Sequence, residues 1–222
     1  MEEAQELVAN TGASEQLQAQ RPEDAHDIRE TYRLIVDPNI SGDVGKNISN
    51  FFDLLKRHHS RMMASRPSVE PGVFKKKNTE LGSRVFVAPE LVEETLARGW
   101  SASRSLPSPS ARAFYLLFVV SEVHPFIDGN GRISRLGMNA ELERANQSRL
   151  VIPTSFRNDY LTVLEALTLN GNSDPFVAFA HKLIDMNRRV PFGAFEETHD
   201  HFRKSHALDE PTSSSLNLES LL

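Results

Sequence analysis

The chain has 222 residues, a net charge of −5, 39% hydrophobic residues and no cysteine. That is apolar material for one sizeable core, and it excludes disulfides, thiolate metal clusters and a cysteine nucleophile. No run of about 18 apolar residues exists, the acidic start MEEAQELVANTG lacks the basic and apolar regions of a signal peptide, and the negative charge argues against broad nucleic-acid binding. We therefore expect a cytoplasmic protein with no membrane and no nucleic-acid partner, secretion as an effector remaining open.

Residues 1–22 are polar and broken at Gly12 and Pro22, which suits an N-terminal arm or short helix, with regulation as a candidate role. From Pro22, PEDAHDIRETYRLIV has helical spacing at Ile28, Tyr32 and Ile35, until PNISGDVGKN breaks it. ISNFFDLLKRHHSRMM then puts Phe51, Leu54, Leu55 and Met62 on one helix face. Its His58 and His59 stand among charges and read as solvated. In residues 72–87, two strand-like pieces, Val73–Lys76 and Arg84–Val87, flank a polar centre, so a small hairpin or flap is expected. Lys75, Lys76 and Lys77 would add positive potential there, or simply charge an edge against aggregation.

Pro89 opens a helix, PELVEETLARG, expected to stop at Gly99, and SASRSLPSPS reads as a loop. ARAFYLLFVVSEV is apolar nearly all round, hence a buried central helix, ended by Pro125. Helices follow over GRISRLGMNAELERA, FRNDYLTVLEALTL and DPFVAFAHKLIDMNRR, with His199 and His201 in a surface segment beyond. Residues 206–222 read as a disordered tail. The fold class is mainly α, a helical bundle with one small β-hairpin.

Between the central helix and the next lies HPFIDGNGRISR, residues 124–135. The first amides of a new helix lack intrahelical partners and, with the helix dipole, make an anion site. Gly129 and Gly131 allow the backbone close to a ligand. Arg132 and Arg135, three apart, share a helix face, and two guanidinium groups suit several phosphates. Asp128 suits Mg²⁺, which is commonly held by one or two carboxylates plus substrate phosphates. His124, at the end of a rigid helix, is the group able to accept a proton near neutral pH. The Gly-Lys-Ser/Thr ending of a Walker loop is absent. Taken singly, each feature is more often a turn, a cap or a solvated face; in this order they form a Mg-phosphate site with a base.

HPFIDGNGRISR resembles the motif of Fic-domain proteins, His-Pro-Phe-x-Asp/Glu-Gly-Asn-Gly-Arg-x-x-Arg, at every fixed position. The resemblance extends through GVFKKKNTELGSRVFVAPELVEETL, RAFYLLFVVSEV and FRNDYLTVLEAL, covering roughly residues 45–190. It implies a Fic fold, here over residues 23–205 with flap 72–87, and transfer of AMP from ATP to a Ser, Thr or Tyr hydroxyl of a target protein. By position, it implies that His124 is the general base and that Asp128 binds Mg²⁺. Asn130 with the amides near Gly129 and Gly131 would hold the α-phosphate, Arg132 the β-phosphate and Arg135 the γ-phosphate. Phe126 would anchor the loop. Tyr160 matches a position near the adenine, and Asn170 is a further candidate. The target would dock at the flap by strand addition.

Many Fic proteins carry an inhibitory Ser/Thr-x-x-x-Glu-Gly/Asn helix whose glutamate pairs with the second motif arginine, here Arg135. Thr11 and Glu15 have this spacing, with Gln16 in the place of Gly or Asn; Ser215 and Glu219 repeat it near the end. An inhibitory partner protein, a homo-oligomer or no inhibition are the other options. Two further functions stay open: removal of AMP from a modified protein, and a non-catalytic nucleotide-binding module.

Overall fold

The computed structural model describes residues 26–27, 30–31, 33–35, 37, 39–42, 45–82, 84–191 and 195–205. The arm 1–22, with Thr11 and Glu15, and the tail 206–222, with Ser215 and Glu219, lie outside the described residues. The chain divides into two compact units, Met1–Arg149 and Leu150–Leu222.

In the first unit, α1 spans Ile48–Met62, capped by the Asn47 side chain, which accepts from the Asn50 amide at 2.8 Å. Its apolar stripe, Phe51, Leu54, Leu55 and Met62, is buried. Two two-residue strands follow, β1 (Glu80–Leu81) and β2 (Arg84–Val85), antiparallel with Glu80 opposite Val85 and Leu81 opposite Arg84. Helix α2 runs Val92–Arg104, α3 Pro109–Val123 and α4 Asn130–Arg144. Helix α3 starts with Pro109 in its first turn and a Ser108 cap on the Ala111 amide. It packs against α2 and α4 and buries Leu116, Leu117, Val120 and Val123, as its all-round apolar character predicts. Phe126, Ile133 and Leu136 complete the core on which the 124–135 loop sits.

Two expectations need correction. Helix α2 does not stop at Gly99 but continues through SASR to Arg104. Gly99 marks close helix packing instead: a Cβ there would lie 2.5 Å from Val119 Cγ1 on α3. The hairpin is also shorter than expected, and Val73–Lys76 is not a strand. The Lys75 amide donates to the Pro125 carbonyl at 2.8 Å, so this backbone is spent on the loop rather than on a neighbouring strand.

The second unit holds α5 (Arg157–Asn170), α6 (Asp174–Arg189) and α7 (Phe195–Lys204). Gly171, at φ +63°, ends α5 in the left-handed conformation. Asn187 clamps the Val151 backbone, accepting from its amide at 2.9 Å and donating to its carbonyl at 3.0 Å. Among the described residues, no helix is long and apolar enough to cross a membrane.

Candidate active site

His124 is the left-handed cap of α3, with φ 52° and ψ 60°, a conformation uncommon for a residue with a side chain. Pro125 forbids another helical turn. The Phe86 ring stacks on the imidazole, with centroids 3.8 Å apart and planes 14° from parallel. Burial is the main cause that lowers the His124 pKa to about 4; a backbone hydrogen bond to Ser121 opposes it, and the charges of Lys75 and Arg84 reinforce it. The ring is therefore neutral at pH 7, with its lone pair available to a proton.

The loop beyond is closed by its own side chains. Asn130 is buried, and its amide group bonds both polar atoms of the Phe126 backbone, accepting from N and donating to O, each at 2.9 Å. Gly129 caps α4 at φ +76°, and a Cβ there would lie 2.9 Å from Met62 Cε and 3.1 Å from Met63 Sδ. Only glycine meets both the backbone angle and the space. The Asn130 and Gly131 amides follow in the first helical turn, where an anion can be received.

His58 and His59 are buried rather than solvated, because they continue the apolar stripe from Leu54 and Leu55 to Met62. His59 stacks on Phe126 at 3.8 Å. Its Nδ1 accepts from the Gly72 amide at 2.9 Å, which assigns the proton to Nε2, so Nε2 donates to the Asp128 carbonyl at 3.0 Å. Burial chiefly holds its pKa down at about 4, which keeps this tautomer neutral. The helical spacing of the histidine pair was the signal that could have found it.

Asp128 accepts from the Gly129 amide at 2.6 Å through Oδ1, while Oδ2 lies 3.4 Å from Arg66 Nη1. Its side chain is 48% exposed. Among the described residues no group of three or more His, Cys, Asp or Glu side chains gathers as a metal cage. A single accessible carboxylate fits Mg²⁺ completed by phosphates and water, not an all-protein site. Arg132 sits in the first turn of α4 with Nη1 3.1 Å from Asp27 Oδ2, and Arg135 is half-buried one turn further on. Tyr160 belongs to the second unit, buried against Phe179 with centroids 6.0 Å apart, and Asn170 ends α5 there. Asp27 and Arg66 reach the loop region without having been singled out from the sequence; Lys75, named there for positive potential or a charged edge, is buried.

Residues 50–142 match the model of the Fic/DOC family. The chain is similar to "Protein adenylyltransferase Fic" of Drosophila willistoni, 34% identical over 134 residues, covering 57% of this chain and 26% of the relative. It is also similar to "Protein adenylyltransferase fic-1" of Caenorhabditis briggsae, 33% identical over 148 residues, covering 65% of this chain and 29% of the relative. The chain thus spans about a quarter of the length of these curated relatives. Among solved structures, a Fic-domain-containing signaling protein from Bacteroides thetaiotaomicron superposes with TM-score 0.60 at 18% identity, covering 79% of this chain and 76% of that one. Fic-1 of C. elegans gives TM-score 0.57 at 24% identity, covering 72% and 48%. These two likenesses concern the fold.

Proposed function

We propose, from the match of residues 50–142 to the Fic/DOC family, that the chain transfers AMP from ATP to a Ser, Thr or Tyr hydroxyl of a target protein. Neutral His124 takes the hydroxyl proton as the oxygen attacks the α-phosphorus. The bond from the α-phosphorus to the β-phosphate bridging oxygen breaks, and pyrophosphate leaves. The proton rests on His124 and passes to solvent. Asn130 and Gly131 amides hold the α-phosphate oxygens where negative charge grows; donors of this kind are worth about 2.7–4 kcal/mol each in the transition state. Arg132 takes the β-phosphate and Arg135 the γ-phosphate. Asp128 would hold Mg²⁺, which would supply charge neutralisation.

The target docks as an extended segment along the β1–β2 hairpin, where Leu81 and Val85 are exposed apolar positions. The observation that carries the reading is the neutral, ring-stacked His124 at the mouth of a loop whose far end is the α4 N-terminus. Incubating the chain with Mg²⁺, α-labelled ATP and candidate targets tests it. Protein labelling lost in His124→Ala is expected. Equal labelling by that variant would overturn the role of His124. ATP binding without any transfer would favour AMP removal or a non-catalytic module.

A further inference from the structure

We propose that Asp27, which lies before the family-matched segment, is a positioning residue of the nucleotide site: it fixes Arg132 for the polyphosphate and, through Arg66, steadies the Asp128 carboxylate. The inference rests on the nucleotide reading above. Asp27 is fully buried. Its Oδ2 meets Arg66 Nε at 2.7 Å and Arg132 Nη1 at 3.1 Å, and its Oδ1 accepts from Ser65 Oγ at 2.9 Å. His26 Nδ1 lies 3.7 Å from Oδ1. The Asp27 carbonyl accepts from Thr31 Oγ1 at 2.7 Å, which secures the backbone that carries the carboxylate.

The four charged groups form a chain, Asp128 to Arg66 to Asp27 to Arg132, of alternating sign. Their charges cancel. Were Asp128 to hold a metal ion, Arg66 would still balance Asp27, and Arg132 would keep most of its five N–H donors for phosphate oxygens. Its side chain is 21% exposed, so the guanidinium is held on one side and open on the other. A long flexible cation fixed in this way loses less freedom when ligand arrives.

The same contacts argue against Asp27 acting as a removable plug on Arg132. A plug must leave cheaply, whereas this carboxylate has both oxygens bonded and no exposure, so its departure would strand a buried charge. Asp27 and Arg132 are 105 residues apart in sequence, so the segment before the family-matched region becomes part of the phosphate site.

A double-mutant cycle on Mg-ATP binding by titration calorimetry tests this with the full chain. Asp27→Asn is expected to weaken binding about tenfold, within the range for directly coupled neighbours. In an Arg132→Ala background the same change should lose most of its effect, keeping only the smaller part that runs through Arg66 to Asp128. A merely structural Asp27 would weaken binding equally in both backgrounds, and that result would overturn the inference. So would tighter binding by Asp27→Asn, which would make the carboxylate an obstruction. If Asp27→Asn does not fold, Ser65→Ala removes one hydrogen bond from the same carboxylate without stranding a charge. It should weaken binding about twofold and mainly when Arg132 is present; an equal loss without Arg132, or no loss, would overturn the inference. A wild-type chain that does not bind Mg-ATP would instead overturn the nucleotide reading itself, and the inference with it.

Discussion

Lys75 brackets His124: its backbone amide donates to the carbonyl of the residue after, Pro125, at 2.8 Å, and its ammonium to the carbonyl of the residue before, Val123, at 3.3 Å. The ammonium also donates to Thr79 Oγ1 at 2.8 Å, and burial lowers its pKa to about 8. One side chain therefore ties the hairpin to the strained cap that presents the imidazole. Because Lys75 is still largely charged at pH 7, it also disfavours a proton on His124.

Replacing that charge should relax the histidine only in part. In Lys75→Met the His124 pKa should rise from about 4 by a fraction of the way to 6.5, because burial, the main cause of the lowering, remains. NMR titration of the His124 ring protons measures it, and an unchanged value would deny the coupling. With the wild-type chain, the acid limb of kcat/KM, which reports the free enzyme, should lie well below the 6.5 of an ordinary histidine.

Acid should also weaken the fold before carboxylates protonate. His59 has a folded pKa near 4 against 6.5 unfolded, so between those values the unfolded chain binds more protons. Stability is full above pH 6.5 and falls as pH drops through that window. The His59 contribution is at most about 3 kcal/mol. Urea unfolding at pH 7 and pH 4.5 should show the loss, and His59→Gln should flatten the pH slope; a slope unaffected by the substitution would exclude His59 as its source.

Asn130 holds the loop together by two bonds to buried backbone atoms. Asn130→Ala should cost about 2–6 kcal/mol, since two polar groups are orphaned and each costs about 1–3 kcal/mol. Asn130→Asp should fail as well, because a carboxylate cannot donate to the Phe126 carbonyl. Thermal unfolding decides: lost ATP binding at unchanged stability would make Asn130 a phosphate ligand alone.

Gly99→Ala should destabilise despite the better helix propensity of alanine. Propensity returns about 1 kcal/mol, but the new Cβ would press Val119, 2.5 Å away, and overpacking costs about 1–3 kcal/mol. Val119→Ala should recover most of the loss in the double variant, as measured by denaturant midpoint.

These positions also show what can be read from the chain alone. The stripe on α1, the all-round apolar α3 and the punctuated loop at 124–135 were legible, because each rests on local periodicity or on Pro and Gly chemistry. The end of α2 was not, since a glycine that stops a helix and one that lets a neighbour approach look alike in sequence. The hairpin was misplaced because two-residue strands carry too little alternation to locate. His59 was hidden by the charges around it, although its spacing was that of the core. Asp27 could not be paired with Arg132 by any local rule, since only the fold brings them together.

The hairpin has one more consequence. Its strands are two residues long, and side chains along an extended segment point alternately to opposite faces. In the proposed docking, a target segment laid beside it would offer only every second residue to the imidazole. Moving the acceptor hydroxyl by one position along the target turns it away, and moving it by two turns it back. Under the proposed docking, selection at this edge would be a matter of parity.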